Sequence, residues 1–307
     1  MIEDFLYYNS TTKGRGNPPF AISDATPFGV KGVHMAFSLQ TERGVSFVTS
    51  DMLRARHAFA TRWGGVSPEG PTASLNLAFG RGDTDATVLE NLNRLAAAVG
   101  FDPRSVISVP QIHGNIVYMV DATHRGLGYH TPTDMAGDGY VSTDPDVTLG
   151  IKTADCTPIL MEARAGDRVL AVAAVHAGWK GSVGDITGIG VQMLREAAEA
   201  RADGEPVRIY AAIGPCIHAC CFTVQSDCIS VVREKLGNFA EPFIRATGEG
   251  FTLDLPALNH ALLLRAGVEE MCIDVCPDCT ACRTDLYYSH RAQHGVRGTM
   301  LSVIKNA

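Results

Sequence analysis

The nine residues Ala174–Ser182, A-V-H-A-G-W-K-G-S, close an apolar run that begins near Arg168, and they separate two kinds of α/β fold. An apolar strand that meets glycines ahead of a helix is how a doubly wound nucleotide-binding sheet starts its phosphate loop. That loop needs G-K-S or G-K-T at a fixed distance from an earlier glycine. Here the order is W-K-G-S, so the reading fails. Lys180 keeps one route to an anion, because Gly181 and Ser182 precede a helix whose first amides are free. The plainer alternative is a solvated Lys180 beside a packed Trp179.

Working outward, the segments next to this stretch are strands: Arg168–Val175, Pro158–Glu162, residues 147–153 and Ile116–Val120. Val30–Thr49 alternates around Thr41-Glu42-Arg43-Gly44 and predicts a hairpin, and His57–Thr61 a short strand before the turn-rich R-W-G-G-V-S-P-E-G-P. D-A-T-V-L-E-N-L-N-R-L-A-A-A-V-G is a helix with Asp85 as its cap, Val88, Leu92, Leu95 and Val99 as its apolar stripe, and Gly100 as its stop. Downstream come a helix over Ile186–Ala200, a strand over Val207–Ile213, helices over Ser226–Leu236 and Pro256–Ala266, and a last strand over Thr299–Ile304. Strands come in pairs between helices rather than alternating with them one by one. The expected fold is therefore mixed α/β (α+β) with largely antiparallel sheets. Residues 1–28 are rich in Asn, Thr, Gly and Pro and read as a loose leader to a single domain over residues 29–307.

Composition narrows the function. The chain has 307 residues, 46% hydrophobic and 19% charged, enough to bury a substantial core. A formal charge of −7 with no Lys/Arg-rich run argues against a groove for nucleic-acid phosphates, while leaving room for a local basic pocket. No apolar stretch approaches the ~20 residues of a membrane span, and M-I-E-D-F lacks the positive start of a signal peptide. The expectation is a cytoplasmic protein. Nine clustered cysteines then favour thiols, metal ligands or catalysis over a disulfide framework.

Three words place a metal-competent side chain where a strand meets a polar or glycine-rich turn: V-P-Q-I-H-G-N (His113), K-T-A-D-C-T-P (Cys156) and A-V-H-A-G-W-K-G (His176). Together they would give zinc three protein ligands and an open fourth position, the pattern of a catalytic site that ionises water near neutral pH. Singly, each histidine is more often a satisfied core residue than a ligand, and Cys156 more often a small buried hydrophobe. Arg62 and Arg291 suit anions through a bidentate fork, or else form surface ion pairs. Asp138 and Asp155 neighbour these words and read as caps or turn residues. C-P-D-C-T-A-C supplies Cys276, Cys279 and Cys282, a fragment of an iron–sulfur or zinc motif. No cysteine follows within Arg283–Ala307, so a fourth ligand would come from Cys216, Cys220, Cys221 or Cys272. Reduced thiols near a pocket are the simpler reading.

Nine words then stand in one order: T-R-W-G-G-V-S, S-L-N-L, Q-I-H-G, D-G-Y-V-S-T, T-A-D-C-T-P-I-L, V-H-A-G-W-K-G, I-G-P-C-I, C-T-A-C and Y-Y-S-H-R. In this the chain resembles the laccase-domain, or multicopper-polyphenol-oxidase-like, proteins over about Arg56–Ile304. That family includes purine nucleoside phosphorylases and a peptidoglycan editing factor. The resemblance implies a four-layer domain with two β-sheets between helices, and zinc held by His113, Cys156 and His176. It also implies phosphorolysis of adenosine, inosine, guanosine and methylthioadenosine, with deamination of adenosine. Arg62, Asn76 and Arg291 match motif positions around the substrate. The chain departs from the family at Phe222-Thr223-Val224, where a Glu is common, and at Lys180, where Arg is common.

The expectation is a zinc-dependent enzyme, monomer or homodimer, acting on purine nucleosides and phosphate. In it zinc, Arg62 or Lys180 holds the phosphate, and Asn76, Lys180 and Arg291 bind substrate. Copper suits a His-Cys-His set less well than zinc but is compatible with it. Four-electron oxygen reduction is another matter, because ten histidines without one H-x-H pair hardly build a trinuclear centre. The rival readings are a Cys-His hydrolase or amidase with Cys156 as nucleophile, as in peptidoglycan editing, and a scaffold whose cysteines bind zinc structurally.

Overall fold

A computed structural model describes residues 37–306. The leader expected over residues 1–28, and the start of the hairpin expected from Val30, lie outside them. In chain order the elements are β1 Phe37–Glu42, β2 Val45–Ser50, β3 Arg56–Ala60, α1 Asp85–Val99, β4 Val106–Ile107, β5 Val117–Met119 and β6 Gly139–Ser142. They continue with β7 Thr148–Thr153, β8 Thr157–Ala165, β9 Arg168–Ala177, α2 Trp179–Val183, α3 Ile186–Glu199 and β10 Val207–Ile213. The rest are β11 Thr223–Val224, α4 Ser226–Leu236, β12 Ile244–Thr247, β13 Gly250–Leu253, α5 Leu255–Arg265, β14 Ile273–Val275 and β15 Met300–Lys305.

Two six-stranded sheets carry the architecture, ordered β1-β2-β3-β15-β7-β4 and β14-β10-β8-β9-β6-β5. Every pairing is antiparallel except β4 with β7, β10 with β14 and β5 with β6, all at sheet edges. A third, small sheet of β11, β13 and β12 completes the set. The mixed α/β reading with mainly antiparallel pairing is what the structure has.

Strand periodicity explains the layers. Side chains alternate across a strand, so a strand buried on both faces reads as a continuous apolar run. On β8 and β9 Leu160, Val172 and Ala174 face the other sheet's Val48, Phe59, Leu149 and Ile151. Their odd-numbered neighbours Ile159, Met161, Ala173 and Val175 face Ile186, Val191 and Leu194 of α3. Across the first sheet, Val45, Phe47, Ala58 and Ala60 pack against Val88, Leu92 and Leu95 of α1. Helix, sheet, sheet and helix are thus stacked in four layers.

Two local expectations are corrected. Thr84, not Asp85, caps α1: its side chain accepts from the Thr87 amide, and Asp85 is the first helical residue, where its charge complements the free amides. Gly100 does end the helix, in the left-handed conformation at φ 89°. The W-K-G-S turn is already helical as α2, so Lys180 lies inside a short helix rather than ahead of one. Among the described residues no helix is long and apolar enough to cross a membrane.

Candidate metal centre and cleft

His113 from the loop between β4 and β5, Cys156 from the turn between β7 and β8 and His176 from the end of β9 meet, their donor atoms all within 4.8 Å of one another. His176 is the penultimate residue of β9, opposite Pro158 of β8, and Cys156 occupies the turn just before β8. By the period of two, His176 shares the inter-sheet face with Val172 and Ala174, which opens the site between the sheets at their ends. The two imidazole rings stand edge to face, centroids 4.9 Å apart.

One carboxylate organises them. Asp138 immediately precedes β6, whose pairing with β9 puts it beside His176. It is fully buried and accepts from His176 Nδ1 at 2.8 Å, the His113 amide at 3.0 Å, the Gly114 amide at 2.8 Å and the Ile112 amide at 3.3 Å. The same side chain therefore fixes the His176 tautomer, leaving Nε2 for a metal, and holds His113 in its left-handed backbone at φ 56°. Burial opposes the charge on Asp138, but His176 and those amides hold its carboxyl below the usual range. Burial likewise pushes the Cys156 thiol up, and the two histidines outweigh it, bringing it down to about 6. Burial pulls His176 down, and Cys156 and Asp138 raise it to about 9.

The donor set fits one metal ion. Two imidazoles, one with its far nitrogen anchored on a carboxylate, and a thiol poised to ionise are the chemistry of a three-ligand site with an open position. The space between them is also kept clear. A Cβ on Gly178 would lie 3.2 Å from Cys156 Sγ, 3.4 Å from His113 Cδ2 and 3.7 Å from His176 Cε1.

The three donors line a cleft of about 780 Å³ together with Phe79, Trp179, Ile217 and Phe222. Arg81, Lys152, Arg291 and Arg297 line it too, against a single carboxylate, Asp155. Asp155 is already engaged, accepting from Thr280 Oγ1 at 2.7 Å and the Arg291 amide at 2.6 Å. Among the described residues none of the four cations forms an ion pair. Burial brings Lys152 down to about 8, and burial with neighbouring Arg81 brings Arg297 down to about 10. Arg297 Nε is buried with no partner. A chain of net charge −7 thus gathers four cations in one concavity beside a candidate set of metal ligands.

Of the residues read from the sequence, His113, Cys156, His176 and Arg291 meet in this cleft. Arg62, Asn76 and Lys180 are not in its lining. Arg62 donates from Nε and Nη2 to the Ala73 carbonyl and from Nη1 to that of Thr284, and it covers the Tyr288 ring. It is a clasp between two loops. Asn76 is fully buried, accepting from the Ala78 and Thr299 amides and donating to Asp83. Lys180 is exposed and rests over Trp179. Sequence reasoning overlooked Arg81, Lys152 and Arg297. The flanking glycines of Gly80-Arg81-Gly82, both at positive φ, were a signal for an arginine held on a sharp turn.

With fold and site described, the comparisons fall into place. Residues 56–307 match the family described as multi-copper polyphenol oxidoreductase laccase, and the chain belongs to it. It is 36% identical over 247 residues to the purine nucleoside phosphorylase YlmD of Geobacillus stearothermophilus, covering 80% of this chain and 87% of that one. It is 32% identical over 240 residues to the adenosine deaminase RL5 of an unknown prokaryotic organism, covering 76% and 87%. The crystal structure of YlmD from G. stearothermophilus superposes with a TM-score of 0.77 at 33% identity, over 89% of this chain and 100% of that one.

Proposed function

We propose that this chain is a zinc-dependent purine nucleoside phosphorylase that also deaminates adenosine. The observation that carries the reading is the meeting, in one cleft, of His113, Cys156 and His176 with four unpaired cations. The names of the two relatives agree with it. His113, Cys156 and His176 would hold the zinc, which would supply Lewis-acid chemistry to the cleft.

The remaining work belongs to the chain. Arg81, Arg291 and Arg297 hold phosphate through charge-assisted hydrogen bonds, and the unpartnered Nε of Arg297 is a donor ready for an oxygen. Phosphate oxygen bonds to C1′ of the ribose as the C1′–N9 bond breaks and its electron pair leaves with the purine. Phe79, Trp179, Ile217 and Phe222 give the base an apolar wall and exclude water. The cationic cluster offsets the crowded charge of the anion and fixes its approach. Arg62, expected to hold the phosphate, acts in this reading through the two loops it clasps instead. Reaching copper-based oxygen reduction would take a histidine-rich trinuclear centre. Among the described residues the candidate donor groups are the His-Cys-His set and a four-cysteine set.

The Cys156 thiol beside two imidazoles is also the arrangement of a Cys-His hydrolase, and this second reading predicts full activity without metal. Untagged protein, analysed for bound metal, is assayed on adenosine with and without phosphate, before and after chelation. Adenine formed only with phosphate, and lost on chelation, is expected, with inosine from the deaminase activity. No turnover of adenosine by metal-loaded protein overturns the proposal.

A further inference from the structure

Outside the cleft, four thiols converge. Cys220 and Cys221 sit in the turn after β10, Cys279 and Cys282 in the turn after β14, and their sulfurs all lie within 4.8 Å of one another. Cys282 Sγ is 3.6 Å from Cys220 Sγ and 3.4 Å from Cys221 Sγ. Four thiolates at about 2.3 Å from one tetrahedral zinc stand roughly 3.8 Å apart, so the spacing suits a single ion. The C-P-D-C-T-A-C run is split by the fold. Cys276 is buried with its amide bonded to Ile213, while Cys279 and Cys282 turn to the vicinal pair.

The local backbone is built for a thiolate. Cys279 Sγ accepts from the His218 amide at 3.4 Å, and the amides of the turn that follows, Ala281 and Cys282, lie close enough to hold the Cys279 thiol below its ordinary value. A turn that points successive N–H groups back at its own first sulfur disperses negative charge there. The two turns are joined again by the Thr280 amide on the Cys216 carbonyl. Arg291 Nη1 reaches the Cys221 carbonyl, bringing a positive charge to the same corner.

We propose that Cys220, Cys221, Cys279 and Cys282 bind a second, structural zinc ion, separate from the His113-Cys156-His176 set. The ion takes the place of four thiol protons, which pass to solvent. It ties the turn carrying Ile217 and Phe222, two walls of the cleft, to the turn after β14. The site goes beyond the nucleoside reading and does not depend on it.

The test uses unmodified, reduced, full-length protein and counts alkylated cysteines peptide by peptide. Cys220 and Cys282 are exposed, so free thiols there are open to alkylation without a chelator. Protection of all four cysteines, loss of that protection with a chelator, and its return with added zinc are expected, with about one zinc released per chain for this set. Protection of Cys156 reports the other site separately. In a C279S/C282S variant zinc content is expected to fall by one per chain. Immediate alkylation without chelator overturns the proposal. So does protection that only a reductant removes, which means a disulfide, and so does release of iron instead of zinc.

Discussion

Replacing Asp138 by Asn keeps the size of the side chain and changes its hydrogen bonding. Asp138 Oδ1 accepts from His176 Nδ1 and the His113 amide, and Oδ2 from the Gly114 and Ile112 amides. An Asn has one acceptor oxygen, so its NH2 must face one of these pairs. Turned toward Gly114 and Ile112, it leaves two amides without an acceptor and frees the turn that holds His113 at positive φ. Turned toward His176, it forces the other imidazole tautomer and places a proton on Nε2, the nitrogen needed for metal. The first orientation leaves two buried amides, Gly114 and Ile112, without a partner and the second leaves one, that of His113, at about 1–3 kcal/mol each. We expect D138N to lose about 1–6 kcal/mol of stability without metal, and metal affinity to fall about 10–100-fold, as for other carboxylates behind a ligating histidine. Urea denaturation of the metal-free protein and competition against a chromophoric chelator measure the two effects. Parent-like affinity and stability in D138N would refute the claim that Asp138 organises both histidines.

The other expectations test parts of the site separately. Gly178→Ala places a methyl group among the three donors, so metal binding should fall sharply in a protein whose circular dichroism is unchanged; retained stoichiometry and affinity would remove Gly178 from the site. Arg297→Met should raise the KM for phosphate about 10–100-fold, the worth of one charge-assisted hydrogen bond of about 1.5–3 kcal/mol, and a KM that stays put assigns the phosphate elsewhere. Arg62→Ala should act on stability, by about 3 kcal/mol for its lost bonds to Ala73 and Thr284, with the phosphate KM of the folded protein little changed. His57 accepts from the Ser50 amide at Nε2 and shares Nδ1 with the Ala55 carbonyl, and burial lowers its pKa, so the folded protein resists its protonation. Its contribution is complete above the ordinary 6.5 and is lost as pH falls from there toward the folded value. Urea midpoints should decline less steeply below that pH in H57Q than in the parent, and equal slopes count against the argument.

What the sequence made legible, and what it hid, follows from the range of the interactions involved. Paired strands, the stripe of α1 and the Gly100 stop are local, written in periods of two and 3.6 and in one residue's φ, and they stand where the pattern puts them. The exchange of Asp85 for Thr84 as cap is a matter of one residue between two competent side chains, which only backbone geometry decides. The metal ligands were legible because each stands in or beside a turn next to strand-like sequence. Their convergence across separations of 43 and 20 residues depends on which strands pair, and β6, the strand whose pairing with β9 sets Asp138 beside His176, is too short to announce itself.

That Arg62, Asn76 and Lys180 stand outside the cleft lining has one cause. An arginine, an asparagine or a lysine in a loop offers the same donors to a carbonyl, a turn or a ligand, and the sequence does not say which acceptor lies in reach. Arg62 finds carbonyls, and Asn76 finds amides and Asp83. Arg81 and Arg297, equally unmarked in the chain, face a cleft with one carboxylate. Arg291 and Arg297 also donate to internal oxygens, from Nη1 to Cys221 and Thr223 and to Gly298 and Thr299; what sets them apart from Arg62 is that they line the cleft, and that is a property of the packed molecule. Asp155, with both oxygens engaged by Thr280 and Arg291, belongs to the scaffold of the cleft, and the free donors around it set the sign of what the cleft can hold.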